Sequence, residues 1–232
     1  MIPADRESGG DSGTALLELL AVMDRLRSPG GCPWDAAQTH TSLVPYLLEE
    51  AHEAAEAIES GARDHMIEEL GDVLLQVVFH ARIGQDDPDA PFDINDIAAL
   101  LVAKLRRRHP HVFGTVEAAT PDAVAANWEL IKAQERAAKS SATDASAPGP
   151  AARSGPLDGI PAGMPSLPRA AKVISRLDRA AGGAPSSAVA ATIAAGGTGA
   201  ELLALIARMV REGDDPDAAL RAALRDVTNA AG

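Results

Sequence analysis

Apolar residues recur along the chain every three or four positions, which is the spacing of amphipathic helices. The pattern predicts helices over about 15–26, 43–60, 64–84, 94–107 and 121–139, and in the last part of the chain over about 165–180, 200–212 and 217–229. No segment shows the two-residue alternation that is typical of a half-buried strand. We therefore predict an all-α fold, built as a helical bundle.

Stretches rich in glycine, proline, serine and alanine separate the helical segments and suggest a domain organisation. We predict a turn-rich loop over 28–35, a closing turn over 109–114 and a low-complexity stretch over 182–199. These divisions predict a disordered N-terminus, a first helical domain, a linker and a second helical region, over residues 1–13, 14–139, 140–157 and 158–232 respectively.

The helix over 66–83 is apolar almost all round, except for one polar stripe. At 100° per residue that stripe contains Glu69, Asp72, Gln76 and His80. A helix with apolar side chains in nearly every direction is expected to be buried. Its polar stripe would then lie inside the protein, where an unpaired charge is costly.

Two acidic clusters place carboxylates three residues apart on neighbouring helices, where positions i and i+3 share a face. If the two helices pack antiparallel, four carboxylates meet, and like charges at close range need a counter-charge. A divalent cation such as Mg²⁺ supplies one, and carboxylate oxygens are its preferred protein ligands. The predicted ligands are Glu50, Glu53, Glu69 and Asp72.

Acidic runs more often form solvated faces than metal sites, and the buried stripe is what favours the metal interpretation here. Three further carboxylates are either second-sphere groups, ligands of a second ion or simply exposed side chains. Any of them is a candidate to orient an attacking water, as is Glu53. The candidate catalytic carboxylates are therefore Glu49, Glu53, Glu56 and Glu68.

Basic residues concentrate at the end of the helix over 94–107, in a chain that is otherwise acidic. Lys104, Arg107 and Arg108 lie at i, i+3 and i+4, on one face. Arginine binds phosphate in bidentate fashion and lysine acts as a point charge, so this face is a candidate phosphate site. The alternative is that the cations stabilise the C-terminal end of the helix dipole.

Two tryptophans are candidates for stacking on a nucleobase. Trp128 lies one turn before Lys132, so an aromatic face and a cation would be adjacent, and Trp34 lies in the turn-rich loop. The alternative for each tryptophan is burial in the core.

Charge and composition exclude several classes of function. The formal net charge of −12 argues against binding to nucleic-acid polymers or to an anionic membrane surface. No apolar run reaches the roughly 18 residues of a membrane span, and the single cysteine excludes an intrachain disulfide. We expect a cytoplasmic protein.

There is no covalent nucleophile with a local base and no Walker-type glycine loop, so the implied reaction is attack of a metal-activated water on a phosphoryl group.

With these residues identified, the chain resembles the MazG family of nucleoside triphosphate pyrophosphohydrolases, from about residue 16 to 139. Four blocks occur in the order of the family: Gly31-Cys32-Pro33-Trp34-Asp35-x-x-Gln38-Thr39, Glu49-Glu50-x-x-Glu53 with Glu69-x-x-Asp72, Arg107-Arg108-His109-Pro110-His111-Val112-Phe113, and Trp128-Glu129-x-Ile131-Lys132. The acidic block alone is moderately specific, and all four in order are strongly so.

The resemblance implies an all-α pyrophosphohydrolase bundle that hydrolyses nucleoside triphosphates to monophosphate and pyrophosphate. It further implies Mg²⁺ dependence, broad base tolerance, a role in nucleotide-pool housecleaning, and a homodimer or homotetramer with helices shared between subunits. The alternative is a regulatory or interaction module that binds metal and nucleotide but turns over poorly.

The last part of the chain departs from the longer family members, whose two domains each carry an acidic motif. It aligns with the first part at an offset of 128, where Gly71–Leu75 corresponds to Gly199–Leu203. At that offset Glu69 becomes Gly197 and Asp72 becomes Ala200, so the region is predicted to be a repeat without a metal site. Chance similarity between two helices rich in alanine and leucine is the alternative.

Overall fold

The computed structural model describes residues 13–116, 120, 123–124, 127–128, 130–131, 134–135 and 155–231, and all regular structure within them is helical. The helices are α1 (Thr14–Arg27), α2 (Pro33–Ala37), α3 (Val44–Ser60), α4 (Arg63–Gly84), α5 (Ile94–Arg108), α6 (Pro110–Phe113), α7 (Ser166–Ala180), α8 (Ser187–Ala194), α9 (Thr198–Glu212) and α10 (Pro216–Ala231). The all-α prediction is confirmed.

The long helices begin and end close to the positions that the periodicity predicts, and their caps explain why. Asp93 caps α5 by accepting hydrogen bonds from the backbone N–H groups of Asn95 and Asp96, and Asp96 completes a capping box. Gly61 ends α3 in the left-handed region, with φ of 71°, where glycine has no steric cost. Only Gly61 and Ala62 separate α3 from α4, so the two helices form an antiparallel hairpin.

Three short helices occur where the sequence predicted loops. They are α2 in the turn-rich loop, α6 in the closing turn and α8 in the low-complexity stretch. A proline occupies the first turn of both α2 and α6, where its missing N–H has no intrahelical partner to lose. Helices of four to eight residues are too short to show a full hydrophobic period, which is why the pattern did not predict them.

The described residues form two compact units, Met1–Val124 and Ala125–Gly232. In the first unit, α1 and α4 enclose a core of Met23, Leu43, Val78 and Phe79. In the second unit, α7, α8 and α9 enclose a core of Ile174, Val189, Ile206 and Ala207. The predicted N-terminus and linker lie almost wholly outside the described residues, so the predicted domain boundaries stay predictions.

In a single chain α4 is not buried on all sides. Its polar stripe does face inward: Glu69 and Gln76 are buried, and Asp72 and His80 are half-buried. An apolar strip on another side is exposed, however, and Leu70 and Leu74 keep 47% and 40% of their surface. The apolar face of α3 is also covered only in part, because Ala54 and Ala57 are buried whereas Ile58 is 53% exposed.

Among the described residues, the helices are all too short or too polar to cross a membrane.

Candidate metal centre

The α3–α4 hairpin brings the two acidic clusters face to face. Glu50 lies on α3, and Glu69 and Asp72 lie one turn apart on α4. One carboxylate oxygen from each of these three residues lies within 4.8 Å of the other two. Glu69 is buried, at 8% exposure, while Glu50 and Asp72 are half-buried. Three of the four predicted ligands therefore converge in the single chain.

The pKa values of the cluster record the cost of placing these acids together. Burial raises the pKa of Glu50, and the charges of Asp72 and Glu53 raise it further. Burial also raises the pKa of Glu69, with a further rise from Glu53 that His65 partly offsets. Desolvation and like-charge repulsion both favour the protonated carboxylic acid. A divalent cation would reverse both effects, because it supplies the missing positive charge.

Glu53 differs from the other three predicted ligands. It is exposed, and it does not belong to the group of oxygens within 4.8 Å. Its charge nevertheless raises the pKa of both Glu50 and Glu69, so it lies at the edge of the same site. The other candidate catalytic carboxylates, Glu49, Glu56 and Glu68, are exposed as well.

His65 is a residue of this site that the sequence reasoning missed. Its Nδ1 lies 3.2 Å from Oε1 of Glu69, one turn further along α4. His65, Glu68 and Glu69 also form a second group of potential ligand atoms within 4.8 Å of one another. The signal was available, since His65 precedes Glu69 by four positions and residues i and i+4 share a helix face.

Beyond Asp72 the polar stripe continues into two different environments. Gln76 is 4% exposed, and its Oε1 has no hydrogen-bond partner among the described residues. His80 forms a Nδ1–Nδ1 hydrogen bond of 2.8 Å with His40, and the two rings stack. Burial, and then the proximity of His40, lower the pKa of His80.

Trp34 lies on α2, and Arg27, the last residue of α1, holds α2 against α1. The Arg27 guanidinium donates to the backbone oxygens of Asp35 and Gln38 and lies over the Phe79 ring. Trp34 packs edge-on against Tyr46 and Phe79, with ring centroids 5.9 and 6.5 Å away. These contacts do not cover the Trp34 ring completely, and the residue is 51% exposed. Trp34 is therefore not a buried core residue.

The remaining predicted binding residues are placed only in part. Lys104 and Arg107 are exposed and Arg108 is half-buried at the C-terminal end of α5. Trp128 is 39% exposed in the second unit. Lys132 lies outside the described residues. The phosphate-binding and base-stacking roles of these residues stay predictions.

The donor set at the α3–α4 hairpin suits a hard divalent cation. Three carboxylates supply anionic oxygen donors, which Mg²⁺ prefers, and three protein ligands leave positions for water or phosphate oxygens. The hairpin has only glutamate, aspartate and one histidine in this position, without the cysteine that a structural zinc site commonly uses.

Comparison with known proteins identifies the first unit. A model of the MazG nucleotide pyrophosphohydrolase domain matches residues 38–113, which include α3, α4 and α5. The match therefore covers every residue of the carboxylate cluster described above.

Similarity to individual proteins extends further along the chain. An uncharacterized 26.1 kDa protein from Streptomyces cacaoi is 46% identical over 222 residues, covering 94% of this chain and 83% of the relative. A nucleoside triphosphate pyrophosphohydrolase from Mycolicibacterium smegmatis is 44% identical over 181 residues, covering 78% of this chain and 51% of the relative.

A third relative is the nucleoside triphosphate pyrophosphohydrolase/pyrophosphatase MazG of Thermotoga maritima. It is 51% identical over 131 residues, covering 56% of this chain and 49% of the relative. The chain thus spans about half the length of these two pyrophosphohydrolases. On the domain match and these identities, the chain belongs to the MazG family.

Proposed function

We propose that the chain is a Mg²⁺-dependent nucleoside triphosphate pyrophosphohydrolase. The observation that carries the proposal is the convergence of Glu50, Glu69 and Asp72, with oxygens within 4.8 Å of one another. The raised pKa values of Glu50 and Glu69 support it, because a cluster of acids that repel one another is poised to take up a cation. The names of the relatives support the choice of reaction.

Glu50, Glu69 and Asp72 would hold the cation, and Glu53 would complete the set at the exposed edge. When bound, Mg²⁺ would neutralise charge on the phosphate oxygens and lower the pKa of a coordinated water. His65 would orient Glu69 through the 3.2 Å contact between its Nδ1 and Oε1. Such second-sphere contacts fix the direction of a ligand's lone pairs.

The reaction we propose is attack of water between the α and β phosphates. The water oxygen forms a bond to one of these two phosphorus atoms, and the bond between that phosphorus and the oxygen that bridges it to the other one breaks. The products are a nucleoside monophosphate and pyrophosphate. An exposed carboxylate at the rim would accept the proton of the attacking water, and the candidates are Glu49, Glu53, Glu56 and Glu68.

Substrate binding would use groups outside the carboxylate cluster. Lys104, Arg107 and Arg108 would bind the phosphate chain, and the open side of Trp34 would receive a base by stacking. Stacking accepts every base, which is consistent with broad base tolerance and a housecleaning role. Trp128 and Lys132 are a second candidate pair for the base and the phosphates. The proposal includes a cytoplasmic location, where nucleoside triphosphates are made and used.

We further propose that the first unit works as a homodimer or as part of a homotetramer. Leu70 and Leu74 of α4 are exposed, and so are Leu100, Leu101 and Leu105 of α5, although a monomer rarely leaves a large apolar area uncovered. A second copy of these helices would cover both strips.

The test compares Glu69→Gln and Asp72→Asn with the matched surface variant Glu18→Gln, which alters an exposed carboxylate on α1. Each protein is incubated with a nucleoside triphosphate and Mg²⁺, and pyrophosphate is measured. We expect both site variants to lose at least about a hundredfold in kcat, as removal of an essential electrostatic group commonly does, with unchanged helicity. A substantial rate in either would refute the ligand assignment. Tight nucleotide binding by an inactive wild type would favour the binding module instead.

A further inference from the structure

Arg27, at the end of α1, is almost wholly buried although it carries a permanent charge. Its side chain keeps only 6% of its surface, and the carboxylate that pairs with it is that of Asp86, 3.6 Å from Nη2. Its Nε–H has no hydrogen-bond partner among the described residues. An apolar side chain of similar size commonly stabilises a fold at least as well as a buried charge in such a setting. Packing alone therefore does not explain an arginine at this position.

The Nη1 group of Arg27 is directed at the C-terminal end of α2. It donates hydrogen bonds to the backbone oxygens of Asp35 and Gln38. The carbonyls at the end of a helix lack the N–H groups of a following turn, so a side-chain donor is well suited to them. At the other end of α2, the N–H of Cys32 donates to the carbonyl of Leu26 at 2.8 Å. Both ends of α2 are thus fixed to the last turn of α1.

Trp34 is the aromatic residue that α2 carries between these two contacts. Its ring packs edge-on against Phe79, with 6.5 Å between the ring centroids. The guanidinium carbon of Arg27 lies 5.4 Å from the centroid of the same Phe79 ring. Arg27 therefore acts on Trp34 by two routes, through the backbone of α2 and through Phe79. Trp34 itself is 51% exposed, so a fixed ring still offers surface to a ligand.

We infer that Arg27 is a positioning residue for nucleotide binding, which fixes α2 so that Trp34 is oriented to stack on a nucleobase. A ring that is already held in place loses less conformational freedom when the base binds. Arg27 does not contact the substrate, because its side chain is buried and two protein carbonyls engage its Nη1. It acts on the nucleotide through the base-stacking role proposed for Trp34, on which the inference rests.

A positioning role through Trp34 has a narrower consequence than a purely structural role. Loss of Arg27 should weaken binding of the base of a nucleotide and leave binding of its phosphates unchanged. A structural role would weaken binding of both, or would destabilise the fold. The ratio of two affinities, one for a ligand with a base and one for a ligand without, separates the two roles.

The test measures both affinities of the full-length protein by isothermal titration calorimetry in Mg²⁺. One probe is the α,β-methylene analogue of adenosine triphosphate, which has a base and cannot be hydrolysed between its α and β phosphates. The other is inorganic triphosphate, which has no base. Arg27→Met keeps much of the buried volume and removes the donors. We expect it to weaken binding of the analogue about tenfold, as loss of a stacking contact does, and to change binding of inorganic triphosphate less than about twofold.

Arg25→Met is the matched control. Arg25 also lies in the last turn of α1 and donates to two backbone oxygens, but it is exposed and its acceptors, Pro29 and Gly30, lie outside α2. Both affinities of this control should stay within about twofold of the wild type. Arg27→Lys covers the case in which Arg27→Met does not fold. It keeps the charge without the planar guanidinium, so we expect the same selective loss.

A double-mutant cycle tests whether Arg27 acts through Trp34. Trp34→Ala should weaken binding of the analogue about tenfold. Adding Arg27→Met to it should cause no further loss, because the ring that Arg27 positions is then absent. Losses that add in the double variant would overturn the inference. An unchanged affinity of Arg27→Met for the analogue, or an equal loss for inorganic triphosphate, would overturn it as well.

Pyrophosphate release by the same proteins is measured separately. For Arg27→Met we expect KM for a nucleoside triphosphate to rise about tenfold and kcat to change less than about twofold, because uniform binding is lost. A wild type that binds the analogue and releases no pyrophosphate would refute the proposed reaction, and the affinity ratios would still decide the role of Arg27. A wild type that releases pyrophosphate but binds both probes equally tightly would overturn the role of Arg27 and leave the reaction standing.

Discussion

At the scale of single residues, Glu69 is the central residue of the candidate metal centre. It is the most buried of the three converging carboxylates, and burial, followed by the charge of Glu53, raises its pKa. A buried carboxylate with a raised pKa lowers the stability of the fold, and costs of this kind are typical of functional sites. The contact with His65 offsets the repulsion only in part, and it is directional, since it reaches one oxygen of the carboxylate.

We predict that His65→Ala weakens Mg²⁺ binding about tenfold, because loss of a second-sphere partner frees the ligand that it orients. Isothermal titration calorimetry of the full-length protein measures this directly. His52→Ala is the control, since His52 is exposed on α3. Equal Mg²⁺ affinities of the wild type and His65→Ala would mean that the 3.2 Å contact does not orient Glu69.

His80 gives a prediction about pH. Its pKa is lowered below 6.5 by burial and by His40, so the folded state binds its proton less readily than the unfolded state. The groups that face the pair are the ring of Phe92, stacked on His40, and the carboxylate of Asp87. The stability that depends on neutral His80 is therefore present above pH 6.5 and is lost as the pH falls through the lowered pKa.

Urea unfolding between pH 7.5 and 5 checks this prediction. The wild type should lose more stability on acidification than His80→Gln, because the glutamine has no proton to take up. The difference between the two proteins removes the opposite contribution of Glu50 and Glu69, whose raised pKa values favour the folded state at lower pH. Parallel pH profiles would contradict the assignment.

At the scale of secondary-structure elements, the end of α4 is held by a close approach between Gly84 and Phe92. The Phe92 N–H donates to the Gly84 carbonyl at 3.1 Å, and a Cβ on Gly84 would lie 2.6 Å from the Phe92 ring. This contact sets the path of the loop that leads from α4 to the cap of α5.

We predict that Gly84→Ala lowers the free energy of unfolding by about 1–3 kcal/mol, the usual cost of forcing an extra carbon into a packed site. Gly71→Ala is the matched control in the same helix, because nothing lies within 4 Å of its Cβ position. There the better helix propensity of alanine should give no loss, or a gain of up to about 1 kcal/mol. Thermal or urea unfolding compares the two, and equal stability of both variants would contradict the role of Phe92.

The long helices were predictable from sequence because each contains several hydrophobic periods and a recognisable stop, such as Gly61 for α3 or the Asp93 cap for α5. The short helices α2, α6 and α8 were not, because tertiary contacts and proline positions define them, not periodicity. Only contacts such as the Arg27 hydrogen bonds to the end of α2 reveal why that turn is helical.

The candidate site was predictable to a similar degree. Spacing of three residues on two helices was enough to bring Glu50, Glu69 and Asp72 together. It was not enough to place the side chain of Glu53, whose exposure depends on its position at the rim of the hairpin. His65 was not predicted because the acidic pattern consists of carboxylates alone, whereas this partner of Glu69 is a histidine one turn away.

At the scale of the whole molecule, exposed apolar surface is the feature that a single chain leaves unexplained. None of the residues of α5 is buried, and Leu100 is 75% exposed. Together with the exposed strip on α4, this surface is the basis for the proposed assembly of the first unit. On this proposal, α4 is buried on all sides only in the assembly, where a second copy covers its exposed strip.

We predict that Leu74→Glu lowers the mass of the assembly in solution and reduces hydrolysis, because an unpaired carboxylate at an apolar contact carries a desolvation cost. The dissociation constant should rise at least about tenfold. Light scattering after gel filtration measures the mass. Ala36→Glu, an exposed position on α2, is the control. An unchanged mass for Leu74→Glu would place the interface elsewhere.

The most direct test of the central claim is the identity of the products. The full-length protein is incubated with a nucleoside triphosphate and Mg²⁺, and the nucleotide and phosphate products are separated and quantified. We expect nucleoside monophosphate and pyrophosphate in equal amounts, and no product when a chelator removes the cation. Nucleoside diphosphate with orthophosphate, or turnover that continues in the chelator, would contradict this claim.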